Sequence, residues 1–184
     1  MDLNQNYFSL FKLPQQFAID EQQLSTRFRQ LQREVHPDRY AGKDKHQQML
    51  AMRFSSYINT AYQTLKSPLS RAEYLLELAQ MPVNKETMTI ADSDFLFKQM
   101  EWRDTLSEAT DEQCQQTLKE LLQTVTDYRA TLASAFIQHY DGQDFDTAKE
   151  TLAKWHFVEK MMNEIGRIEF PQATHSIGLP SHTG

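Results

Sequence analysis

The chain has 184 residues, of which 40% are hydrophobic and 24% are charged, a composition typical of one medium-sized or two small globular domains. Its net charge of −6 argues against a general attraction to nucleic acid or to anionic membranes. The single cysteine, Cys114, excludes an internal disulfide and a multi-cysteine metal site. With no long apolar run and no signal-peptide pattern, the expectation is a soluble cytoplasmic protein.

Five glycines and six prolines are few for this length, and their scarcity predicts an all-α fold with long helices. The first predicted elements are a short helical turn over 7–12 and an amphipathic helix over 21–35, for which Asp20 suits the N-cap. Apolar residues recur along this helix every three or four positions, at Leu24, Phe28, Leu31 and Val35. Because Pro37 disfavours helical geometry at the residue before it, the helix should end near Val35.

A polar segment containing Gly42 leads into a second helix over 44–66, and the two helices are predicted to form an antiparallel hairpin. The inward face of the second helix is predicted to contain Leu50 or Met49, then Phe54, Ile58, Ala61, Tyr62 and Leu65. Ser67 and Pro68 suit the N-cap and first residue of a further helix. The aperiodic stretch 79–91 is the predicted domain junction.

Three more helices are predicted in the second half: one over 93–109, a long one that ends at Gly142, and one over 145–169. Short links between them predict a three-helix bundle over 92–170. The last helix should turn the following residues inward: Phe145, Ala148, Leu152, Trp155 and Met162. The tail, 171–184, has no periodicity and is predicted to be disordered.

A His–Pro–Asp tripeptide, formed by His36, Pro37 and Asp38, stands where the hairpin loop begins and has no obvious packing role. Alone, it could be accidental, with the histidine capping a helix. However, the preceding helix also carries a basic face, and like charges four residues apart cost a few tenths of a kcal/mol. The basic residues are Arg27, Arg29 and Arg33 on the helix and Arg39 directly after the tripeptide; together they are called the basic face. They form either a solvated face or a docking surface for an acidic partner.

The segment LSTRFRQLQREVHPDRYAG, followed by FSSYINTAYQTLKSPLSRAEYLL, resembles J-domains. The resemblance implies that residues 1–78 form a J-domain. It also implies that the tripeptide and the basic face engage a DnaK-class chaperone and accelerate its ATP hydrolysis. Charge complementarity would raise the association rate, and the protein would need no active site of its own.

The first helix of the bundle has two apolar faces. Phe95, Trp102, Leu106 and Ala109 form a plausible core stripe, whereas a second apolar surface, Leu96, Phe97 and Met100, points away from it. Charged residues edge this surface at Glu101, Arg103 and Asp104, and Phe157 is similarly displaced from the stripe of the last helix. The helix either lies between the two domains and buries both faces, or exposes a docking surface.

The junction SPLSRAEYLL and the bundle opening FLFKQMEWRDTL extend the resemblance to the HscB family, J-domain co-chaperones of iron–sulfur cluster assembly, over residues 1–170. This resemblance implies two partners: a specialised, HscA-like chaperone and an IscU-like cluster scaffold protein. The scaffold contacts would be Leu96, Phe97, Met100, Glu101, Arg103, Asp104 and Phe157. Phe97 departs from the methionine usual in bacterial members. Eukaryotic members carry a four-cysteine extension, so a chain with Cys114 alone resembles the bacterial type.

Three other functions compete with this interpretation. A J-domain co-chaperone could deliver a different client, in which case a charge at Leu96 or Met100 should have no effect on client binding. An enzyme is disfavoured because no two of the six histidines share a helix at metal-binding spacing, and no metal site or cofactor is expected. These histidines are His36, His46, His139, His156, His175 and His182. A nucleic-acid partner is disfavoured by the small basic patch, and no membrane partner is expected.

Overall fold

Helices make up all the regular structure in the part of the chain that the computed structural model describes, residues 5–83, 90–109 and 115–169. The all-α prediction is therefore confirmed. The chain divides into two compact units, Met1–Val83 and Asn84–Gly184. The first unit contains α1 (Tyr7–Phe11), α2 (Glu21–Glu34), α3 (Lys45–Lys66) and α4 (Pro68–Leu78). The second contains α5 (Ser93–Glu108), α6 (Gln115–Asp141) and α7 (Phe145–Glu169).

The first unit is built on an antiparallel pair of helices, α2 and α3. The side-chain amide of Gln32, near the end of α2, donates to Asn59 at 2.7 Å, and the hydroxyl of Ser25, nearer its start, pairs with that of Tyr62. The earlier residue of α2 thus meets the later residue of α3, as antiparallel helices require. The rings of Phe28 and Tyr62 stack between the helices with centroids 3.9 Å apart. Helices α1 and α4 pack on α3 and complete the core, which includes Phe8, Phe11, Leu24, Val35, Ile58, Leu65, Leu75 and Leu76.

Polar side chains begin the helices where the sequence predicts them. The carboxylate of Asp20 accepts from the N–H of Gln23 at 2.9 Å, and the hydroxyl of Ser67 accepts from the N–H of Ser70. Both satisfy a backbone donor that the first turn of a helix leaves unpaired. Between the two predicted inward residues near the start of α3, Leu50 is half-buried and Met49 is exposed, so Leu50 faces the core.

Among the described residues, three helices are followed by left-handed residues that are not glycine: Lys12, Gln80 and Gln143, with φ between 56° and 60°. After α6, the N–H of Gln143 donates to Tyr140 and that of Asp144 donates to His139, which is a Schellman motif. Gly142 follows the last residue of α6 as predicted, but the left-handed residue is Gln143. At Gly142, a Cβ atom would lie 3.1 Å from the carbonyl oxygen of Gln138.

The second unit is a three-helix bundle in which α6 and α7 pair extensively and α5 packs through fewer residues. Its core includes Leu121, Val125, Leu132, Phe136, Ala148, Leu152, Trp155, Val158, Met161 and Ile165. The prediction that Met162 faces inward is wrong: Met161 is buried and Met162 is half-buried, because one residue rotates the side chain by about 100° around the helix. Cys114 and the tail 171–184 lie outside the described residues.

Candidate functional site

The His–Pro–Asp tripeptide forms an exposed turn that follows α2. His36 takes the extended conformation that a following proline imposes, with φ −58° and ψ 133°. Residues Pro37–Arg39 then form a single 3-10 turn. The neighbouring Val35 is buried and anchors the turn to the core, whereas His36, Pro37 and Asp38 are exposed. These three side chains are thus exposed to solvent on a fixed backbone.

Hydrogen bonds hold the turn against the end of α2. The Nδ1 atom of His36 accepts from the N–H of Asp38 at 3.3 Å. Arg39 donates through Nη1 to the carbonyl oxygen of Arg33 at 3.4 Å, and Tyr40 donates through its hydroxyl to that of Glu34 at 3.3 Å. Both acceptors belong to the last turn of α2, where carbonyls lack partners within the helix.

The turn and part of the basic face line one groove of about 480 Å³, here called the basic groove. Its lining residues are Arg29, Gln32, Arg33, His36, Pro37, Arg39 and Ser55. Three of the four predicted arginines therefore meet beside the tripeptide. Arg27 does not line this groove: it is half-buried on the flank of α2 and donates to Gln30 at 3.1 Å.

On the other side of Pro37 lies a second groove, of about 670 Å³, which sequence reasoning missed. Val35, Pro37, Asp38 and Tyr40 line one wall, and Ala51, Met52, Ser55 and Asn59 of α3 line much of the other. Met52 is 71% exposed. Its position away from the inward stripe of α3 was an available signal, because a large apolar residue off the stripe must face solvent or a partner.

The second candidate site is the apolar surface of α5, formed by Leu96, Phe97 and Met100. These side chains are 43%, 66% and 61% exposed. Glu101, Arg103 and Asp104 are exposed beside them, whereas Phe95 and Trp102 are buried. Within its own unit, α5 thus buries Phe95, Trp102 and Ala109 of the predicted core stripe, half-buries Leu106 and leaves the predicted second face open.

Phe157 of α7 joins this surface through contacts with α5. The guanidinium of Arg103 lies over the ring of Phe157 at 5.5 Å from its centroid, a cation–π distance. The ring of Phe95 meets the same ring edge-on at 5.8 Å. Phe157 is half-buried, so part of it remains accessible beside Arg103.

The N-terminus of α5 is attached to α7 by an ion pair that the sequence did not reveal. The ammonium of Lys154 lies 2.6 Å from Oδ2 of Asp92 and 3.3 Å from Oε1 of Glu150. The hydrogen bond from Lys154, with that from the N–H of Phe95, lowers the pKa of Asp92 below its ordinary value. Burial alone would lower the pKa of Lys154, but the bonds to Asp92 and Glu150 raise it overall.

The described residues lack two other kinds of feature. No group of three or more histidine, cysteine, aspartate or glutamate side chains there is arranged to hold a metal ion. None of the described helices is both long enough and apolar enough to span a membrane.

Comparisons with known proteins agree with the division into two units. The DnaJ domain model matches residues 6–74, and the model of the HSCB C-terminal oligomerisation domain matches residues 91–166. Over 168 residues, the chain is 38% identical to a Co-chaperone protein HscB homolog from Shewanella baltica, covering 89% of this chain and 97% of that protein. The chain belongs to the HscB family of co-chaperones. A second HscB relative, from Proteus mirabilis, is 39% identical over 171 residues, or 89% of this chain and 95% of the relative.

Solved structures of HscB proteins share the fold. Chaperone HscB from Vibrio cholerae superposes with a TM-score of 0.82 at 35% identity, covering 91% of this chain and 99% of that one. Human co-chaperone protein HscB superposes with a TM-score of 0.86 at 31% identity, covering 93% of this chain and 85% of the human one. The chain is thus a J-domain co-chaperone, which implies a DnaK-class chaperone as partner, and its family is not one of catalytic enzymes.

Proposed function

We propose that this chain brings an IscU-like iron–sulfur cluster scaffold protein to a specialised, HscA-like chaperone and stimulates ATP hydrolysis by that chaperone. The observation that carries the proposal is the basic groove, which His36 and Pro37 of the exposed turn line together with three arginines. The exposed apolar surface of α5 supports the second part, the capture of a client. The chain itself supplies no catalytic group to the hydrolysis.

The proposed chaperone-binding residues are those of the turn and of the basic face: His36, Pro37, Asp38, Arg27, Arg29, Arg33 and Arg39. Exposed arginines attract an acidic surface and orient it as it approaches, which raises the association rate. The turn then contacts the docked chaperone with a backbone already fixed by the bonds to the end of α2. Such contacts accelerate hydrolysis only if they favour one conformation of the chaperone over the other.

The proposed scaffold-binding residues are Leu96, Phe97, Met100, Glu101, Arg103, Asp104 and Phe157. Exposed apolar side chains with a charged rim are typical of a recognition surface, in which the apolar centre supplies affinity and the rim excludes wrong partners. Phenylalanine at position 97 suits this role as methionine would, because both are large and apolar. This Phe97 side chain is also the most exposed of the three apolar ones.

The proposal assigns the J-domain to residues 1–78, the junction to 79–91 and the scaffold-binding bundle to 92–170. The division between the two compact units, after Val83, falls within that junction. We also place the protein in the bacterial cytoplasm, since its relatives from Shewanella baltica and Proteus mirabilis are bacterial proteins.

The test is steady-state ATP hydrolysis by an HscA-like chaperone with this chain alone, with the scaffold alone, and with both. We expect the two together to stimulate more than the sum of their separate effects. His36→Gln should abolish the contribution of this chain, whereas His46→Gln, a matched change at an exposed histidine near the start of α3, should not. Normal stimulation by His36→Gln would contradict the role assigned to the turn.

The same assay distinguishes a co-chaperone that serves the scaffold from one that serves a different client. Stimulation that depends on His36 but is indifferent to the scaffold would leave the J-domain role standing and refute the scaffold role. The chain would then be a J-domain co-chaperone that delivers another client protein.

A further inference from the structure

Helix α5 is attached to its bundle by few contacts, and its first turn contains two of them. Phe95 is buried against Tyr128 of α6, with ring centroids 5.7 Å apart, and against Phe157 of α7. Three residues earlier, Asp92 uses each carboxylate oxygen for a different purpose. Oδ1 accepts from the N–H of Phe95 at 3.0 Å and caps the helix, and Oδ2 accepts from the ammonium of Lys154 at 2.6 Å.

Lys154 is placed to act on α5 without belonging to the proposed docking surface. Its side chain is only 15% exposed, and its ammonium is held between Asp92 of α5 and Glu150 of its own helix. Lys154 is shielded from most of the solvent, whereas the side chain of Asp92 is 33% exposed, so water and salt screen this pair less than a fully exposed one. The start of α5 is therefore fixed to the middle of α7 in both position and direction.

We propose that Lys154 is a positioning residue for client binding: by holding Asp92, it fixes the first turn of α5 and so the orientation of Leu96 and Phe97. This inference rests on the scaffold-binding role proposed above for the apolar surface of α5. Leu96 lies one helical turn after Asp92, and the N–H of Leu96 donates to the carbonyl oxygen of Asp92 at 3.0 Å. A loosened first turn would have to be reordered before the scaffold could bind, and that ordering cost would reduce affinity.

The test measures the dissociation constant of the scaffold by titration calorimetry with the full chain. Lys154→Met keeps the apolar stem and removes the ammonium, and we expect it to weaken binding by about threefold to tenfold. Lys160→Met is the matched control on the same helix, at an exposed position, and should leave the dissociation constant unchanged.

Asp92→Ser provides a second, independent variant. Serine is as good an N-cap as aspartate but is too short to reach the lysine, so it removes the ion pair and keeps the cap. The double variant Asp92→Ser/Lys154→Met should lose no more affinity than either single variant, because both remove the same interaction. Fully additive losses would overturn the inference.

Two further readouts separate positioning from a general loss of structure. Hydrogen exchange should accelerate in the first turn of α5 while α6 and α7 stay protected, and stimulation of the chaperone without scaffold should not change. Unaltered exchange in α5 would overturn the inference. The inference would also be overturned if Lys154→Met bound the scaffold with unchanged affinity while Leu96→Ala/Met100→Ala bound it more weakly. If Leu96→Ala/Met100→Ala also binds the scaffold normally, the proposed function fails together with the inference.

Discussion

Shortening two exposed side chains of α5 should weaken scaffold binding without destabilising the protein. Full burial of a leucine or methionine side chain is worth about 1.5–3 kcal/mol. Docking can remove from water only the exposed parts, 43% of Leu96 and 61% of Met100. The variant Leu96→Ala/Met100→Ala should therefore lose at most about 1.5–3 kcal/mol of binding free energy, which is roughly tenfold to two-hundredfold in Kd.

The assay is titration calorimetry with the scaffold, accompanied by urea denaturation of each variant. Because neither side chain is part of the core, the free energy of unfolding should change by less than about 0.5 kcal/mol. Met49→Ala/Met52→Ala is the matched control: these residues are 57% and 71% exposed but lie on α3, in the first unit. Their replacement should leave the scaffold Kd unchanged.

Two results would refute this reasoning. An unchanged Kd in the α5 variant would show that the scaffold does not bury this surface. An equal loss of affinity in both variants would show that exposed apolar area matters regardless of its position, which is the behaviour of non-specific association.

The remaining predictions concern the basic groove, a helix end and an ion pair. Arg33→Glu should slow association with the chaperone and reduce its dependence on salt, whereas Arg53→Glu, at an exposed position outside the groove, should have a smaller effect in the same stopped-flow measurement. Gln80→Gly should raise the free energy of unfolding by about 0.5–1 kcal/mol in urea denaturation, because φ is 60° there, and Gln63→Gly inside α3 should lower it by about 1 kcal/mol. The folded-state pKa of Asp92 is depressed, so its carboxylate stabilises the fold above its unfolded pKa of about 4, and this contribution is lost as pH falls through the depressed value. Asp92→Asn should accordingly melt at a lower temperature than the parent near neutral pH, and the difference should vanish in strong acid.

Interactions between neighbours in the chain account for the features that sequence reasoning predicted well. The N-caps at Asp20 and Ser67 act within three residues, and Pro37 restricts the residue directly before it. The second apolar face of α5 was also predictable, because Leu96, Phe97 and Met100 lie away from the core stripe by helical geometry alone, but the sequence left open whether this face is exposed.

Contacts between distant residues could not be predicted in this way. Lys154 and Asp92 are 62 residues apart, and the local pattern pairs this lysine only with Glu150 of its own helix, not with Asp92. The contact of Arg103 with Phe157 likewise depends on how α5 and α7 are rotated against each other.

The sequence by itself determined the helices, the place of the His–Pro–Asp turn, the positions of the basic face and the two-faced character of α5. Periodicity, capping and proline geometry act over a few residues, so the local sequence suffices for them. Tertiary structure alone decided that Arg29, Arg33 and Arg39 share a groove with Ser55 while Arg27 lies outside it, that Met161 rather than Met162 is buried, and that Lys154 holds the start of α5. Each of these depends on the rotation and register of one helix against another, which the packing of the whole unit sets.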